Sequence, residues 1–341
     1  MNAGTDGPLA ERAVAAARAE LDRELADGRA MAHFERRSEL AGELREAYAE
    51  ALGADRSDIS LTTCTTEGMA HVIAGMSLSP GDEILTSDEE HPGLLGALGA
   101  ARELHGVSVR EVPFAEVAAA VGPRTVLVAV SHVGWVSGSL APRELAELDV
   151  PVLLDGAQGV GAVPVDVAAL GCAAYSGAGQ KWLCGPDGTG MLYTTPAFRE
   201  RLAVPRRGYA NLAEANLGLD ATLHEDGRRF DAPSQSAEST AFALAAIDLL
   251  RSAGWAAVHE RARTLAERLC GMLAELGRAP APRGPTTLVS FPSEDPEAER
   301  RSLADAGVIV RNIPGRPWLR ASVGAWNDER DLERLVETLA R

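Results

Sequence analysis

Residues 151–158 read Pro-Val-Leu-Leu-Asp-Gly-Ala-Gln, a short apolar run that ends on an acid and a turn. Such a run is typical of a strand that is buried on both faces of a parallel sheet. Similar apolar runs precede it at 59–62, 83–86, 107–112 and 125–130, and helical patterns at 66–78, 94–104 and 143–148 separate most of them. This alternation predicts right-handed crossovers and a mostly parallel sheet with helices on both faces.

The chain changes character after about residue 230. A long helical pattern at 238–276 is followed by strand and helix patterns at 287–291, 296–306, 308–311 and 318–322, and by a closing helix from Asp328. Because 341 residues exceed the size at which one core usually stops growing, a second, smaller α+β domain is expected. Two helices, broken near Asp27, are expected before the first strand.

The overall charge restricts the partners that we expect. The chain has 33 Lys and Arg against 49 Asp and Glu, so its net charge is −16. Such a surface repels nucleic-acid phosphates and anionic lipid heads, which predicts no nucleic-acid and no membrane partner. The four cysteines form no paired motif, so we expect reduced thiols and no metal site. The first ten residues lack the pattern of a signal peptide, and a cytoplasmic location is expected.

Two polar features follow predicted strands and open helices. Thr65 and Thr66 come after the strand at 59–62, where hydroxyls beside free N–H groups at a helix N-terminus can hold a phosphate. The alternative is that Thr65 caps its own helix. His91 follows the strand at 83–86, and its ring can stack on a planar group or cap the next helix.

Two more features lie farther along the chain. Asp155 ends its strand, where a buried carboxylate must be paired or solvated. It could bind a metal, cap the following turn or pair with a cationic ligand group, and Gln158 could reach the same space. Lys181 stands among small residues in Ser-Gly-Ala-Gly-Gln-Lys, which leave room for a group bound to its amine. Lysine forms Schiff bases, although single lysines are usually solvated.

One ligand explains all four features, which the topology places at the carboxyl ends of the strands. Pyridoxal phosphate (PLP) needs a phosphate cradle, an acid at its ring nitrogen, a stacking group and a lysine. The acid makes the ring an electron sink for charge at the substrate α-carbon. The sequence therefore predicts a PLP-dependent enzyme of amino-acid chemistry with Lys181 as the attachment point. No nucleotide-binding glycine motif follows the first strand, which argues against an NTPase or a dehydrogenase.

Several segments resemble the class V aminotransferase family of fold-type I PLP enzymes. Residues 62–68 resemble its phosphate loop, 154–158 its Asp-x-x-Gln motif, 179–190 its lysine signature and 319–327 its closing arginine strand. Residues 2–8 resemble the opening segment of the isopenicillin N epimerase-like branch, which is close to hercynylcysteine sulfoxide lyase-like proteins and related to cysteine desulfurases. The resemblance covers nearly the whole chain.

The resemblance implies an α/β fold of type I, with a mostly parallel sheet in a large domain and a smaller C-terminal α+β domain. We predict that residues 1–20 pack with the small domain, that residues 21–235 form the large PLP-binding domain, and that residues 236–341 form the small one. The resemblance also implies a homodimer with active sites at its interface.

The resemblance also implies a role for each matching residue near the cofactor. These roles are the Schiff base and α-proton transfer for Lys181, the pyridinium partner for Asp155, the phenolate partner for Gln158, the stacking ring for His91, and the phosphate site for Thr65 and Thr66 with Gln180 nearby.

Other residues are assigned by the same resemblance. Arg320 is expected to clamp the substrate α-carboxylate, a role that suits a bidentate guanidinium. Ala178 stands where many relatives have Ser or Thr, so Ser176 is predicted to replace the missing phosphate donor. Ser234, or the glutamine after it, matches the segment that reaches the phosphate of the other subunit. Trp135 is also predicted to bind the substrate.

Departures from the family pattern bear on the reaction. Cysteine desulfurases carry a nucleophilic cysteine on a loop that corresponds to residues 312–319, and this chain has none there. Desulfurases also have Asn at the position of Trp135. Both departures predict that the chain is not a cysteine desulfurase and favour the lyase- and epimerase-like branch.

The sequence leaves the reaction open after α-proton removal. We favour an aminotransferase that acts on an amino acid, a small-molecule substrate that the sequence does not identify, with a C–S lyase on a cysteine-like substrate or an epimerase as alternatives. A non-catalytic PLP-binding scaffold is a further alternative. Arg206 and Arg207 could bind a distal carboxylate of the substrate, contact a partner subunit or be solvated.

Overall fold

The structure is a computed structural model that describes residues 1–341, apart from the side chain of Ala215. Two helices open the chain, α1 (Glu11–Asp27) and α2 (Met31–Leu52), as the sequence predicts. Gly28 ends the first with φ of 74°, a backbone conformation that glycine adopts without steric cost.

A seven-stranded sheet forms the centre of the molecule. Its strands are β1 (Ile59–Thr62), β2 (Glu83–Ser87), β3 (Ser108–Val112), β4 (Thr125–Ser131), β5 (Val152–Asp155), β6 (Ala174–Ala178) and β7 (Gly190–Thr194). Their order across the sheet is β1-β7-β6-β5-β4-β2-β3, and only β7 runs antiparallel to its neighbours. The prediction of a mostly parallel α/β sheet is confirmed.

Alternate side chains of the central strands enter two separate apolar cores. Leu127 and Leu153 pack in a core that also contains Val72 of α3 (Thr65–Gly75). Their neighbours Val128 and Leu154 pack in the core on the other face of the sheet. Because consecutive strand residues point to opposite faces, both faces are covered, which explains the continuous apolar runs in the sequence. Two further helices, α4 (Pro92–His105) and α5 (Pro196–Arg201), belong to this part of the chain.

The second half contains a small antiparallel sheet. Its strands are β8 (Leu288–Pro292), β9 (Arg311–Asn312) and β10 (Trp318–Ser322), in the order β8-β10-β9. The helices α6 (Ala237–Ala253), α7 (Trp255–Glu275), α8 (Pro296–Asp305) and α9 (Glu329–Leu339) accompany it. No comparison tests the predicted division at residues 20 and 235, which stays a prediction.

The structure corrects three predictions of local structure. The helix expected at 143–148 is a 3-10 helix over Arg143–Glu147. The helix expected at 238–276 is two helices, because Gly254 adopts φ of 85° between them. Strands β6 and β7, which flank Lys181, were not predicted. Among the described helices, none is alone long and apolar enough to span a membrane, and α6 with α7 meets that description only as a pair bent by 82°.

Two features of the fold position the functional residues. The carboxyl ends of β1, β2, β4, β5 and β6 lie at one edge of the large sheet, since these strands are parallel to one another. Residues 1–8 run from the small sheet toward this edge: Asn2 forms a bridge with Ser322 of β10, and Gly7 N donates to Gln180 O at 2.8 Å.

Candidate active site

A cleft of about 190 Å³ lies at the carboxyl edge of the large sheet. Most of the predicted site residues line it, namely Thr65, Thr66, His91, Trp135, Asp155, Gln180 and Lys181. These residues come from the ends of five strands or from the turns after them, so the topology brings together residues that are far apart in the sequence. Their functional roles stay predictions.

Lys181 and Asp155 form the charged centre of the cleft. Burial lowers the pKa of the Lys181 ammonium, against the attraction of Asp155. Burial raises the pKa of Asp155, while Lys181 and the N–H of Ala157, at 2.9 Å from Oδ1, oppose that rise. Asp155 therefore caps its own turn and also faces a cation. A lysine with a lowered pKa has more of the neutral amine that attacks carbonyl carbons.

Lys181 is also the only lysine among the 33 Lys and Arg residues of the chain. Our sequence interpretation did not use this count, although it was the clearest signal available. The remaining 32 of these positions are all arginine, whereas the position three residues after β6 is lysine. The chemistry of a primary amine, which a guanidinium cannot supply, is the simplest reason.

His91 has one of the two functions between which the sequence could not decide, the helix cap, and its stacking on a planar group stays a prediction. Its Nδ1 accepts a hydrogen bond from Gly93 N at 3.0 Å and caps α4. Its ring also lines the cleft, edge-on to Trp135 with centroids 5.2 Å apart. Burial, helped by the charge of Lys181, lowers the pKa of His91 to about 4. The ring is therefore neutral near pH 7, and its proton is on Nε2 because Nδ1 accepts.

The start of α3 has the features of an anion site. The helix begins at Thr65 with Cys64 at its N-cap, and no side chain caps it. The Thr65 hydroxyl is buried and has no hydrogen-bond partner among the described residues. Thr65 therefore does not cap its helix, and its hydroxyl and the free N–H groups remain available to a phosphate. A Cβ on Gly93 would lie 2.5 Å from Thr66 Oγ1, so only glycine lets the start of α4 approach this hydroxyl.

Two predicted cofactor residues already have partners in the protein. Ser176 Oγ donates to Thr65 O at 2.9 Å and is not among the residues that line the cleft. Gln158 Nε2 donates to Gly4 O at 2.8 Å, and its Oε1 accepts from Trp182 Nε1 at 3.0 Å. The geometry gives Ser176 no free proton for a phosphate. Gln158, which is also not among the residues that line the cleft, keeps one free N–H, and its bond to the cofactor stays a prediction.

Arg320 is fully buried on β10. Its Nη1 donates to Trp135 O at 2.7 Å, whereas Nε and Nη2 have no partner in the described part of the chain. Burial lowers the pKa of this guanidinium, and the charge of Arg311 adds to the effect. A buried cation without a carboxylate is costly, so an anionic ligand would stabilise it.

Arg311 is a cleft residue that the sequence analysis missed. It lies directly opposite Arg320 in the β9–β10 ladder and also lines the cleft. Its Nη1 donates to Thr5 Oγ1 at 3.3 Å, and the described residues place no carboxylate within ion-pair distance. The Pro314-Gly315 turn was a signal, because a hairpin there puts the two arginines face to face. Gly4, Thr5 and Cys64, which also line the cleft, had no such signal.

The remaining predicted residues lie apart from this cleft. Ser234 is exposed, and its Oγ accepts from Arg37 Nη2 at 3.0 Å. Its action on the other subunit of a homodimer stays a prediction. Arg206 forms an ion pair with Glu67 at 2.6 Å, and Arg207 is exposed. Neither arginine is among the residues that line the cleft, and solvation or contact with a partner subunit both stay alternatives for this pair.

Comparison with known proteins gives a consistent set of relatives. A sequence profile of the family described as "Aminotransferase class-V" matches residues 2–335. Isopenicillin N epimerase from Amycolatopsis lactamdurans is 30% identical over 337 residues, covering 86% of this chain and 83% of that protein. "Probable cysteine desulfurase" from Pseudomonas aeruginosa is 30% identical over 317 residues, covering 84% of this chain and 78% of that protein.

Two solved structures of the protein C-DES superpose closely. One is the complex between the cystine C–S lyase C-DES and its reaction product cysteine persulfide, with a TM-score of 0.94, 28% identity and coverage of 99% of this chain and 96% of that one. The other is a C-DES mutant with glycine covalently linked to the PLP cofactor, with a TM-score of 0.93, 28% identity and coverage of 99% and 95%.

These relatives overturn one prediction. The sequence analysis excluded a cysteine desulfurase because residues 312–319 contain no cysteine, yet relatives of that name and the C-DES structures match nearly the whole chain. The exclusion was wrong. Its physical premise was too narrow, because an enzyme needs a cysteine of its own only if it takes up the sulfur itself. The product of C-DES is cysteine persulfide, in which a small molecule carries the sulfur.

Proposed function

The chain belongs to the class-V aminotransferase family, and on that premise we propose that it is a PLP-dependent C–S lyase for a cystine-like amino acid. The observation that carries the proposal is Arg311, which lines the cleft, together with Arg320, which lies opposite it in the ladder: neither guanidinium has a carboxylate within ion-pair distance among the described residues. Two like charges opposite each other in a ladder are unfavourable unless anions lie between or beside them.

PLP is the cofactor, and the residues at the cleft fit it. The buried Thr65 hydroxyl without a partner and the uncapped start of α3 would hold its phosphate. Asp155 would hold its ring nitrogen, His91 would lie against its ring, and Lys181 would bind its aldehyde carbon. When bound, PLP supplies a sink for the electron pair left at the substrate α-carbon.

The residues of the chain then have separate tasks in the reaction. The amine of Lys181, whose pKa burial lowers, takes the α-proton at Nζ. Asp155, buried beside it, keeps a proton at the ring nitrogen by charge. His91 is neutral, so its Nε2 can donate a hydrogen bond, and the ring adds no second positive charge beside Lys181. Arg320 holds the α-carboxylate with its free Nε and Nη2, which fixes the α-hydrogen in one direction.

Arg311 supports a substrate with a second carboxylate. An amino acid with one carboxylate would satisfy Arg320 and leave Arg311 with the Thr5 hydroxyl and with the exposed Asp6, which lies beyond ion-pair distance. L-Cystine carries a second carboxylate beyond its disulfide, and C-DES, a cystine lyase, has the same fold. β-Elimination would break the Cβ–S bond, and water would complete the balance: cystine and water give pyruvate, ammonia and cysteine persulfide.

Two other reactions start from the same proton transfer. The transamination favoured by the sequence analysis and the epimerisation named by one group of relatives both need Lys181, Asp155 and Arg320. Neither needs a leaving group, so the cleft geometry alone does not separate them from lysis. A non-catalytic scaffold would need none of the three residues, which disfavours it.

The products decide between the alternatives. Purified holoenzyme with L-cystine should release pyruvate and ammonia in equal amounts, together with sulfane sulfur, and should need no keto-acid co-substrate. A keto acid formed only with an added amino acceptor would indicate transamination, and D-configured product would indicate epimerisation. Either result in place of pyruvate would refute the lyase proposal. The Lys181→Ala variant is the matched control. The homodimer with Ser234 of the partner subunit at each cleft is part of the proposal, and sedimentation analysis tests it.

A further inference from the structure

Residues 1–8 form one wall of the cleft. The segment is attached to the small sheet by Ser322 N, which donates to Met1 O at 3.0 Å, and to the lysine turn by Gly7 N. Between these points Gly4 O accepts from Gln158, and Gly4 and Thr5 line the cleft. Three attachments over eight residues hold the backbone in one place, so its side chains have fixed positions relative to the ligand.

Two glycines show how closely the segment lies against the site. A Cβ on Gly4 would lie 2.7 Å from Ser322 Oγ and 3.1 Å from Arg320 Nη2. A Cβ on Gly7 would lie 2.1 Å from Lys181 O. Real Cβ atoms essentially never approach within 3.0 Å of another atom, so a larger residue would displace the backbone of the segment at Gly7 and either the segment or the side chains against it at Gly4.

Thr5 is the residue of this segment that contacts Arg311. The Thr5 hydroxyl donates its one proton to Asn2 Oδ1 at 3.0 Å, and it accepts from Arg311 Nη1 at 3.3 Å. Because the proton is used toward Asn2, the oxygen lone pairs face Arg311. A neutral oxygen orients a guanidinium without neutralising it, so Arg311 keeps its charge for a ligand.

We propose that Thr5 is a positioning residue that sets substrate selectivity: its hydroxyl, oriented by Asn2, holds the Arg311 guanidinium at the cleft for a distal carboxylate of the substrate. The inference rests on the part of the proposed function that assigns Arg311 to this carboxylate. It does not depend on C–S cleavage, because substrate binding precedes the step that distinguishes the reactions.

A pair of isosteric ligands tests the proposal by binding. S-Carboxymethyl-L-cysteine and S-carbamoylmethyl-L-cysteine differ only in the distal charge. Their dissociation constants for the holoenzyme are measured from the absorbance change of the bound cofactor before turnover, by stopped flow. Wild-type protein should bind the carboxylate at least about tenfold more tightly than the amide, as a half-buried ionic hydrogen bond gives.

Three variants then isolate the hydroxyl. Thr5→Val keeps the shape and should lower the carboxylate preference to about threefold, whereas Thr5→Ser should retain it within about twofold. Arg311→Gln should remove the preference. Asn2→Ala, which removes the acceptor that orients the hydroxyl, should lower it as Thr5→Val does, and it provides the test if Thr5→Val does not fold or bind PLP.

The possible outcomes separate this inference from the proposed lyase function. A wild-type protein with no carboxylate preference, or an unchanged preference in Thr5→Val or in Asn2→Ala, would overturn the inference whatever the reaction. A preference that depends on Thr5 in a protein that releases no pyruvate from cystine would refute the lyase and leave the inference standing.

Discussion

The two walls of the cleft are built in different ways. The lysine wall comes from the large sheet, where Asp155 and Lys181 lie just after buried parallel strands. The arginine wall comes from the β9–β10 hairpin, with Arg311 and Arg320 side by side, and from residues 1–8. The first wall is part of the main core, whereas the second is assembled from the two ends of the chain.

The charges of the two walls differ in the same way. On the lysine wall a cation and an anion act on each other, since Lys181 opposes the rise in the pKa of Asp155. On the arginine wall two cations lack carboxylates in the part of the chain that the structure describes. From this difference we infer that the charged groups of the lysine wall all have partners once PLP is bound, whereas those of the arginine wall obtain theirs only when the substrate binds. Changes on the lysine wall should therefore lower kcat, and changes on the arginine wall should raise KM.

The largest effect is expected for Lys181→Ala. Without the amine, no group in the cleft can take the α-proton at the same place, and kcat should fall by roughly 10⁴-fold, at the upper end of general-base contributions. Steady-state pyruvate release measures it. PLP should still bind through its phosphate and ring, which equilibrium dialysis checks. A variant that keeps more than about a tenth of the activity would contradict the role of Lys181.

Asp155→Asn should have the next largest effect. The amide keeps the size of the side chain and its bond from Ala157 but loses the charge that keeps the ring nitrogen protonated. The loss of an ionic hydrogen bond of about 1.5–3 kcal/mol predicts a decrease in kcat of about 10–100-fold. KM should change little. A rise in KM at constant kcat would show that Asp155 acts in substrate binding, which would contradict the distinction between the two walls.

Arg320→Gln tests the other wall. The substrate α-carboxylate loses its cation, and KM should rise about 10–50-fold while kcat falls by less than about threefold, because the proton-transfer groups remain. Arg320→Lys should restore little, since an ammonium cannot replace the two-pronged guanidinium. Steady-state kinetics over a range of cystine concentrations separate the two constants. An effect confined to kcat would refute the assignment.

The last prediction concerns stability and not kinetics, and it involves Glu90, a buried carboxyl near the lysine wall. It accepts from Ser131 Oγ at 2.6 Å and contacts Ser87 Oγ, and burial raises its pKa from 4.5 to about 7. Since the folded state binds this proton more tightly than the unfolded state, the free energy of unfolding should fall as pH rises from about 4.5 to 7. The decrease is up to ~3 kcal/mol.

Glu90→Gln provides the comparison for that prediction. Glutamine does not titrate, so its stability curve should lack this part of the decrease. Urea denaturation at pH 5, 6, 7 and 8 measures the difference. Parallel curves for the two proteins would show that Glu90 is not a buried, titrating group.

The sequence was a good guide to the lysine wall. Strand runs rich in Val, Leu and Ile predicted β1 to β5, and the ends of these strands predicted Thr65, His91 and Asp155 at one edge. Lys181 was predicted from the small residues around it. The strands β6 and β7 were missed because Ala-Tyr-Ser-Gly-Ala and Gly-Met-Leu-Tyr-Thr contain a single β-branched residue, Thr194, and no clear alternation. Their stability comes from their neighbours in the sheet, a context that no local pattern contains.

The sequence was a poor guide to the arginine wall. Arg320 came from the family resemblance, but Arg311 and Thr5 depend on contacts between residues 306 positions apart. The position of Gln158 also depends on a distant contact, because its amide donates to Gly4 O, 154 positions away in the sequence. Only the folded chain shows that these groups meet. The loop without cysteine between the two arginines was given too much weight, because its meaning depended on where the sulfur goes.

The most direct test of the account is the site of cofactor attachment. Because Lys181 is the only lysine of this sequence, reduction of the holoenzyme with borohydride followed by intact mass measurement has just one other kind of candidate, an N-terminal α-amino group. The account predicts one phosphopyridoxyl adduct per chain in the wild type, located to the peptide that contains Lys181, and none in Lys181→Ala. An adduct that persists in Lys181→Ala, or a wild-type protein that takes up no PLP, would contradict it.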